Sequence, residues 1–392
     1  MARAITRTVW ILSLVSLFTD TASEMLYPIM PLYLKSIGFS IVLIGVLEGV
    51  AEATAGLSKG YFGKLSDNTG RRMPFVQWGY ALSALSKPLM ALFITPVWVF
   101  FVRTIDRFGK GLRTGARDAV LSDEATPQTK GKVFGFHRSM DTLGAVLGPL
   151  LALLYLQWHP EDYKTLFFIA FAPGLLAVLC SFLLKDKNVI KKPLEAKVGF
   201  FSFLGYWKKS PVLYRKLVIG LLVFTLFNSS DVFLLLKAKQ AGLNDSNVIT
   251  VYVFYNLVYA VFAFPIGILA DKLGLKKVFI FGLIIFVMVY GGMAFADQSY
   301  HFYILFFLYG LYAAATEGIS KARITNISSK EDTATAIGTY AAFQSICTML
   351  ASSLAGFIWY QFGAGATFGL SAVMVLGVAL YLAFMRVKMT TK

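Results

Sequence analysis

Acidic residues are scarce in this chain. Of 392 residues, 21 are Asp or Glu against 37 Lys or Arg, and only 15% are charged at all. Soluble domains carry about 25% charged residues, so a water-soluble enzyme with one large core is excluded. Cysteine is almost missing: Cys180 and Cys347 lie in separate apolar runs and read as small packing residues. No disulfide framework is expected from them. Three scattered histidines offer no transition-metal cluster, so no metal is expected. No Gly-x-x-x-x-Gly-Lys-Ser/Thr phosphate loop is present, which argues against ATP hydrolysis. No constellation of serine, histidine and acid stands out, so the chain is not read as an enzyme and no cofactor is expected. A cleavable secretion signal is not expected either. The first apolar run follows Arg3 and Arg7, is interrupted by Asp20 and Glu24, and continues to Tyr33, as a retained helix would.

What the chain has in quantity is apolar length. Hydrophobic residues make up 57% of it, and runs such as 279–296 and 366–385 carry almost no charge. Such runs cross ~30 Å of hydrocarbon at ~1.5 Å per residue. The chain reads as an all-α polytopic membrane protein. Twelve spans are predicted, near 8–34, 41–62, 74–95, 97–121, 132–156, 164–184, 213–236, 246–270, 278–297, 302–324, 334–360 and 366–387. The net charge of +16 fits the positive-inside rule and calls for no nucleic acid partner. Basic residues gather at Arg3 and Arg7, at Lys64, Arg71 and Arg72, at Lys130 and Lys132, along 185–216, at Lys272, Lys276 and Lys277, and from Arg386 onward. The alternate connections hold only Lys35, Lys164, Lys237 and Lys239. This asymmetry places both termini in the cytoplasm. In the long connection, Phe200, Phe203, Leu204 and Trp207 share one helical face and precede Lys208 and Lys209. That pattern predicts a helix lying in the membrane interface, with a solvated linker as the alternative.

One phrase occurs twice. Gly63-Lys64-Leu65-Ser66-Asp67-Asn68-Thr69-Gly70-Arg71-Arg72 closes the second span, and Gly267-Ile268-Leu269-Ala270-Asp271-Lys272-Leu273-Gly274-Leu275-Lys276-Lys277 closes the eighth. The offset is near half the chain length, which implies two similar halves. The phrase resembles the signature between the second and third helices of the major facilitator superfamily. The resemblance covers the whole chain. It implies two six-helix bundles around a central cavity, at 1–185 and 213–392, joined by a cytoplasmic linker at 186–212. It further implies alternating access, with Gly63, Asp67, Gly70, Arg71, Arg72 and Asp271 forming a conformational latch. The expected setting is a bacterial inner membrane, crossed many times by a monomer that handles a small molecule and protons.

Charges inside membrane helices are expensive and need a partner, a cavity or a task. The fourth span holds Arg103, Asp106, Arg107, Lys110, Arg113, Arg117 and Asp118. At ~100° per residue its five basic residues fall within roughly 120° of arc, so the stripe cannot face lipid. Arg113 and Arg117 approach the cytoplasmic interface, where snorkelling is open to them. Candidate counter-charges are Asp20 and Glu24 in the first span and Glu48 and Glu52 in the second, with His137, Arg138 and Asp141 in the fifth. Either these charges only hold the bundle together, or the carboxylates and Arg103 serve proton coupling while Arg107 and Lys110 attract an anionic substrate. Arg103 to Gly109 also resembles the superfamily's second signature, with Asp106 and Arg107 where glutamine and glycine are usual. A second register puts Arg107 on the signature arginine. Gly144, Gly148 and Pro149 resemble the hinge motif of its proton-coupled exporters, with Ala152 replacing the final glycine.

The second half is less charged and more aromatic. Asn228 and Asp231 lie in the seventh span. Tyr252, Tyr255, Asn256 and Tyr259 lie close to one face of the eighth. Tyr309, Tyr312, Glu317 and Lys321 follow in the tenth, and Tyr340, Phe343 and Gln344 in the eleventh. Tyr255, Asn256, Tyr259, Glu317 and Gln344 are the candidates for a substrate wall there, with ordinary packing as the alternative. The resulting expectation is a proton-coupled secondary transporter that exports small amphipathic organic anions or drug-like compounds. The alternatives are a symporter importing an organic anion, a lipid translocator, or a membrane sensor.

Overall fold

The computed structural model describes residues 5–27, 29–186 and 199–385. The predicted basic clusters at Arg3, along 187–198 and from Arg386 onward lie outside them. So does the side chain of Glu48. Among the described residues there is no strand. In lipid every backbone polar group must be satisfied inside its own segment, and helices achieve that.

The first half runs α1 (Arg7–Leu26), α2 (Met30–Ser36), α3 (Ile41–Thr69), α4 (Met73–Leu92), α5 (Pro96–Asp123), α6 (Lys130–Trp158) and α7 (Tyr163–Ser181). A short α8 (Gly205–Lys209) follows, then α9 (Val212–Phe227), α10 (Asp231–Gln240), α11 (Asp245–Leu273), α12 (Leu275–Phe295), α13 (Ser299–Ile327) and α14 (Thr333–Phe384). Two pairs are single spans with a break: α1 with α2, and α9 with α10 across Asn228–Ser230. Conversely, α14 contains two spans that turn at Gly363, whose φ is 83°. With α8 set aside, the described residues give twelve spanning helices, as the sequence predicted.

Eight stretches meet a plain test of length and hydropathy for crossing a membrane, one of them the double span ending at Phe384. The helices that fail it are α3, α4 and α5, which house Glu52, Lys87 and the basic stripe. Their polarity is taken up inside the protein. Large apolar side chains on other helices remain exposed, among them Leu154, Val261, Val373 and Leu380, as lipid-facing residues must.

Helix ends are fixed locally. Thr6, Ser40, Asp162 and Asn244 each accept a backbone N–H in the first turn of the helix they precede. The first turn of α4 is capped from a distance: Asp186 accepts from the N–H groups of Arg72 and Met73 at 2.8 and 2.9 Å. At the ends of α3 and α11 the glycines of the repeated phrase, Gly70 and Gly274, have φ of 63° and 100°. Residues with a Cβ avoid that region at a cost of about 1–2 kcal/mol.

The chain forms two compact units. Unit 1 comprises residues 1–126, 136–208 and 329–345; unit 2 comprises 127–135, 209–328 and 346–392. Each unit thus contains the opening turns of one helix whose remainder belongs to the other unit, α14 in the first case and α6 in the second. In unit 1 an apolar core gathers Met25, Tyr33, Phe39, Met90, Val102 and Phe167. The apolar residues of 200–207 do not share one surface. Phe203 is buried against Gly60 and Trp207 meets the Phe343 ring, while Phe200 and Leu204 are exposed.

Candidate functional site

The repeated phrase does the same work in each unit. In unit 1, Asp67 lies at the end of α3, with its side chain 1% exposed. Its carboxylate accepts from the N–H groups of Ala334 and Thr335 at 3.3 and 2.6 Å, and from the Thr335 hydroxyl at 2.7 Å. These donors are the unsatisfied N–H groups of the first turn of α14, where the helix dipole favours an anion. In unit 2, Asp271 at the end of α11 accepts from the N–H groups of Gly131 and Lys132, both at 2.7 Å, in the first turn of α6. One turn earlier, glycines allow the backbones to meet. A Cβ on Gly63 would stand 2.4 Å from the Ala334 carbonyl oxygen, and one on Gly338 2.3 Å from that of Lys59. Unit 2 repeats this with Gly267 at 2.3 Å from the Gly131 oxygen and Gly135 at 2.5 Å from that of Ala263. The sequence pointed to the phrase but not to the helix starts that it grips.

The basic residues of the phrase part ways. Arg72 is buried, 3.5 Å from Asp67 and 3.5 Å from Asp123. The Arg71 side chain is exposed. In unit 2, Lys276 donates to the carbonyls of Ala383 and Met385 at the end of α14.

The stripe on α5 divides into two parts. Arg103 lies 3.5 Å from Asp106, and Lys87 on α4 lies 2.9 Å from the same carboxylate; all three are buried. Lys87 was missed from sequence, although a lone lysine in the apolar run of α4 is a legible signal. Snorkelling was open to Arg113 and Arg117, but both side chains are buried. Arg113 lies over the Tyr80 ring at 4.6 Å and donates to the Ser83 hydroxyl at 2.7 Å. Arg117 pairs with the fully buried Asp118 at 3.0 Å. Both guanidinium groups find partners inside unit 1, although the buried Arg113 Nε has no hydrogen-bond acceptor.

The remaining charges face one another. Lys110 is exposed and Arg107 half-buried, as are Asp20, Glu24 and Glu52. Lys110 and Arg107 act on the carboxylates of both Glu24 and Glu52, and Lys110 acts on Asp20 as well. Lys59 and Arg103 also act on Glu52. Four of the five proton-coupling candidates and both cationic candidates therefore stand in unit 1 within electrostatic reach of one another. Behind them, Asp141 on α6 receives the Ser16 hydroxyl and Arg138, and acts electrostatically on Asp20. Gly144 and Gly148 set α6 directly on α1. Added Cβ atoms there would stand 2.5 Å from the Leu17 oxygen and 2.6 Å from the Met25 nitrogen. Pro149 lies inside α6, one residue beyond.

In unit 2 the break between α9 and α10 collects tyrosines. Tyr255 and Tyr309 each donate to the Asp231 carboxylate at 2.6 Å. Asn228 donates to the Tyr312 hydroxyl at 3.1 Å, and the Ser229 and Tyr290 hydroxyls meet at 3.1 Å. Tyr255 and Tyr259 are buried, and buried Asn256 donates to its own helix at Tyr252. Glu317 is half-buried and acts on Asp231. Gln344, half-buried, falls in unit 1. Among the described residues no group of three or more His, Cys, Asp and Glu is placed to hold a metal ion.

These features agree with what the chain resembles. The model of the Major Facilitator Superfamily matches residues 12–255 and 232–392. An MFS-type transporter of Methanocaldococcus jannaschii is 32% identical over 363 residues, or 91% of this chain and 89% of that one. A Lactococcus lactis protein described as a homolog of the multi-drug resistance efflux pump PmrA is 21% identical over 377 residues, 92% of this chain and 90% of that one. Among solved structures, the human organic anion transporter MFSD10 superposes with a TM-score of 0.82 at 17% identity, covering 96% of this chain and 99% of that one. The transporter FucP in its outward conformation gives 0.81 at 13% identity, covering 98% and 100%. The chain belongs to the Major Facilitator Superfamily and is a polytopic membrane transporter of small molecules.

Proposed function

We propose that this transporter couples substrate movement to protons and exports small amphipathic organic anions or drug-like compounds. The observation that carries the reading is the accessible pair Arg107 and Lys110 facing Asp20, Glu24 and Glu52 in unit 1. Two cations that share three carboxylates change partners when one carboxylate takes a proton, and such an exchange biases one conformation over another. A ligand anion competes for the same cations. Tyr255, Asn256, Tyr259, Glu317 and Gln344 are proposed as aromatic-polar substrate contacts. The direction rests on the Lactococcus lactis relative, which is described as an efflux pump homolog. The two aspartate-gripped helix starts act as latches that hold one state and release in the other. Gly144, Gly148 and Pro149 are assigned the bending of α6. The chain is placed as a monomer in a bacterial inner membrane with both termini in the cytoplasm, its halves acting as six-helix bundles.

One arrangement favours a second reading, the symport of an organic anion. Lys110 faces Asp20 and Glu52. A proton on either acid leaves Lys110 to an anionic ligand, so proton and anion bind together. Reconstituted vesicles separate these readings. Carboxyfluorescein, an amphipathic anion, is loaded inside or outside and quantified at one fixed pH after an imposed gradient. Movement against the proton flow supports export, and movement with it supports symport. Flux indifferent to the gradient refutes coupling.

A further inference from the structure

We propose that Arg323 and the start of α12 form a binding site for a phosphate group in unit 2, at the end where the repeated phrase lies. The site is separate from the charges assigned to coupling and to substrate. Arg323, near the end of α13, is 6% exposed, and its Nη1 is buried with no hydrogen-bond acceptor. Its guanidinium lies over the Phe279 ring, 5.1 Å from the centroid. A ring face attracts the charge but offers no oxygen to the N–H groups. Phe279 lies in the second turn of α12, and helical side chains lean toward the N-terminus of their helix. The guanidinium therefore stands toward the opening turn of α12. That turn is uncapped: Gly274 has no side chain, and among the described residues no side chain accepts from the N–H groups of Leu275, Lys276 or Lys277. Lys277 is exposed. Among the described residues no carboxylate lies within ion-pair distance of Lys276, Lys277 or Arg323.

The internal repeat supplies the comparison. In unit 1 the same connection leads into α4. There Asp186, just beyond the end of α7, accepts from the first N–H groups of the helix, and Asp123 at the end of α5 pairs with Arg72. In unit 2 the end of α14 stands where α7 ends in unit 1, since Lys276 reaches the carbonyls of Ala383 and Met385. Yet residues 385–392 include no Asp or Glu, and the end of α13 brings Arg323 where α5 brings Asp123. The carboxylate that closes the arrangement in unit 1 has no counterpart in unit 2, and an anion from outside the chain takes its place. Phosphate suits it, because its oxygens accept at once from a guanidinium fork and from the N–H groups of a helix start. A phospholipid headgroup and free phosphate share that chemistry.

Two probes distinguish the sources. Inorganic phosphate is titrated calorimetrically into the full chain in neutral detergent at fixed ionic strength. Native mass spectrometry then reads the same protein after exposure to phosphatidic acid or to phosphatidylcholine. At least one phosphate probe should bind, and phosphatidic acid should bind in preference to phosphatidylcholine if the source is lipid. Arg323→Gln should weaken that binding about tenfold or more. Lys164→Gln, an equal loss of charge at an exposed position, should leave it unchanged. Binding of phosphatidic acid alone assigns the site to a lipid headgroup, and binding of inorganic phosphate alone assigns it to a free anion. Binding of neither, or binding that Arg323→Gln does not move, overturns the site. Should Arg323→Gln not elute as folded protein, Lys277→Gln on the exposed opening turn should weaken the same binding; unchanged binding overturns the site.

Discussion

At the scale of single residues, the buried charges differ in how many partners each one serves. Asp106 serves Lys87 and Arg103 together. Asp106→Asn leaves two buried cations facing each other and should cost about 3–5 kcal/mol. Lys87→Met leaves the Asp106–Arg103 pair in place and should cost clearly less. Thermal unfolding of both variants in one detergent checks the order; equal costs would show that Asp106 is not shared. Asp67 offers a similar contrast with Asp271. It is more deeply buried, receives the extra Thr335 hydroxyl, and has Arg72 beside it. Asp67→Asn should weaken the grip on α14 by about 1.5–3 kcal/mol, the scale of hydrogen bonds to a charge. Transport should fall while the protein stays folded. Asp271→Asn should do less, which paired flux measurements would reveal. For the proposed anion site, Arg107→Gln or Lys110→Gln should weaken an anionic ligand by ~1–3 kcal/mol and a neutral analogue far less. Equal loss for both ligands would leave the stripe as scaffold.

At the scale of elements, glycine decides which helices touch. Gly338 and Gly135 occupy equivalent places in the two gripped helix starts, with 2.3 and 2.5 Å between an added Cβ and a facing carbonyl. A methyl group at either site has to push the helices apart, at about 1–3 kcal/mol. Gly49, also helical, has nothing within 4 Å of an added Cβ. Gly49→Ala should therefore be neutral, or stabilising by up to about 1 kcal/mol through helix propensity. Melting temperatures should fall for Gly338→Ala and Gly135→Ala and hold or rise for Gly49→Ala. A fall at Gly49 as large as at Gly338 would mean that propensity, not contact, sets these positions.

At the scale of the whole molecule, the charge pattern makes a claim about orientation. Basic residues cluster at the connections after the second, fourth, sixth and eighth spans and are few at the alternate ones. A reporter active only in the cytoplasm, fused after Lys392, should be active, and one fused near Gln298 should be silent. The reverse result would invert the assignment of both termini.

The twelve helices were legible because hydropathy acts over twenty residues at a time and needs no partner. The repeated phrase was legible as a repeat for the same reason: its residues are neighbours in the chain. Charge in α3 and α5 announced a polar interior, since burying it without partners costs too much. What each charge does was not legible. Asp67 meets Thr335, Ser16 meets Asp141, and Lys87 meets Asp106 only because packed helices bring distant turns together. Arg113 turns inward on the same point, because Ser83 and Tyr80 lie on a different helix. Composition determined the solvent that this chain folds in, its helical spans and where polarity had to hide. Tertiary packing alone decided which acid faces which base, because pairing depends on helix rotation and crossing, which local sequence does not set.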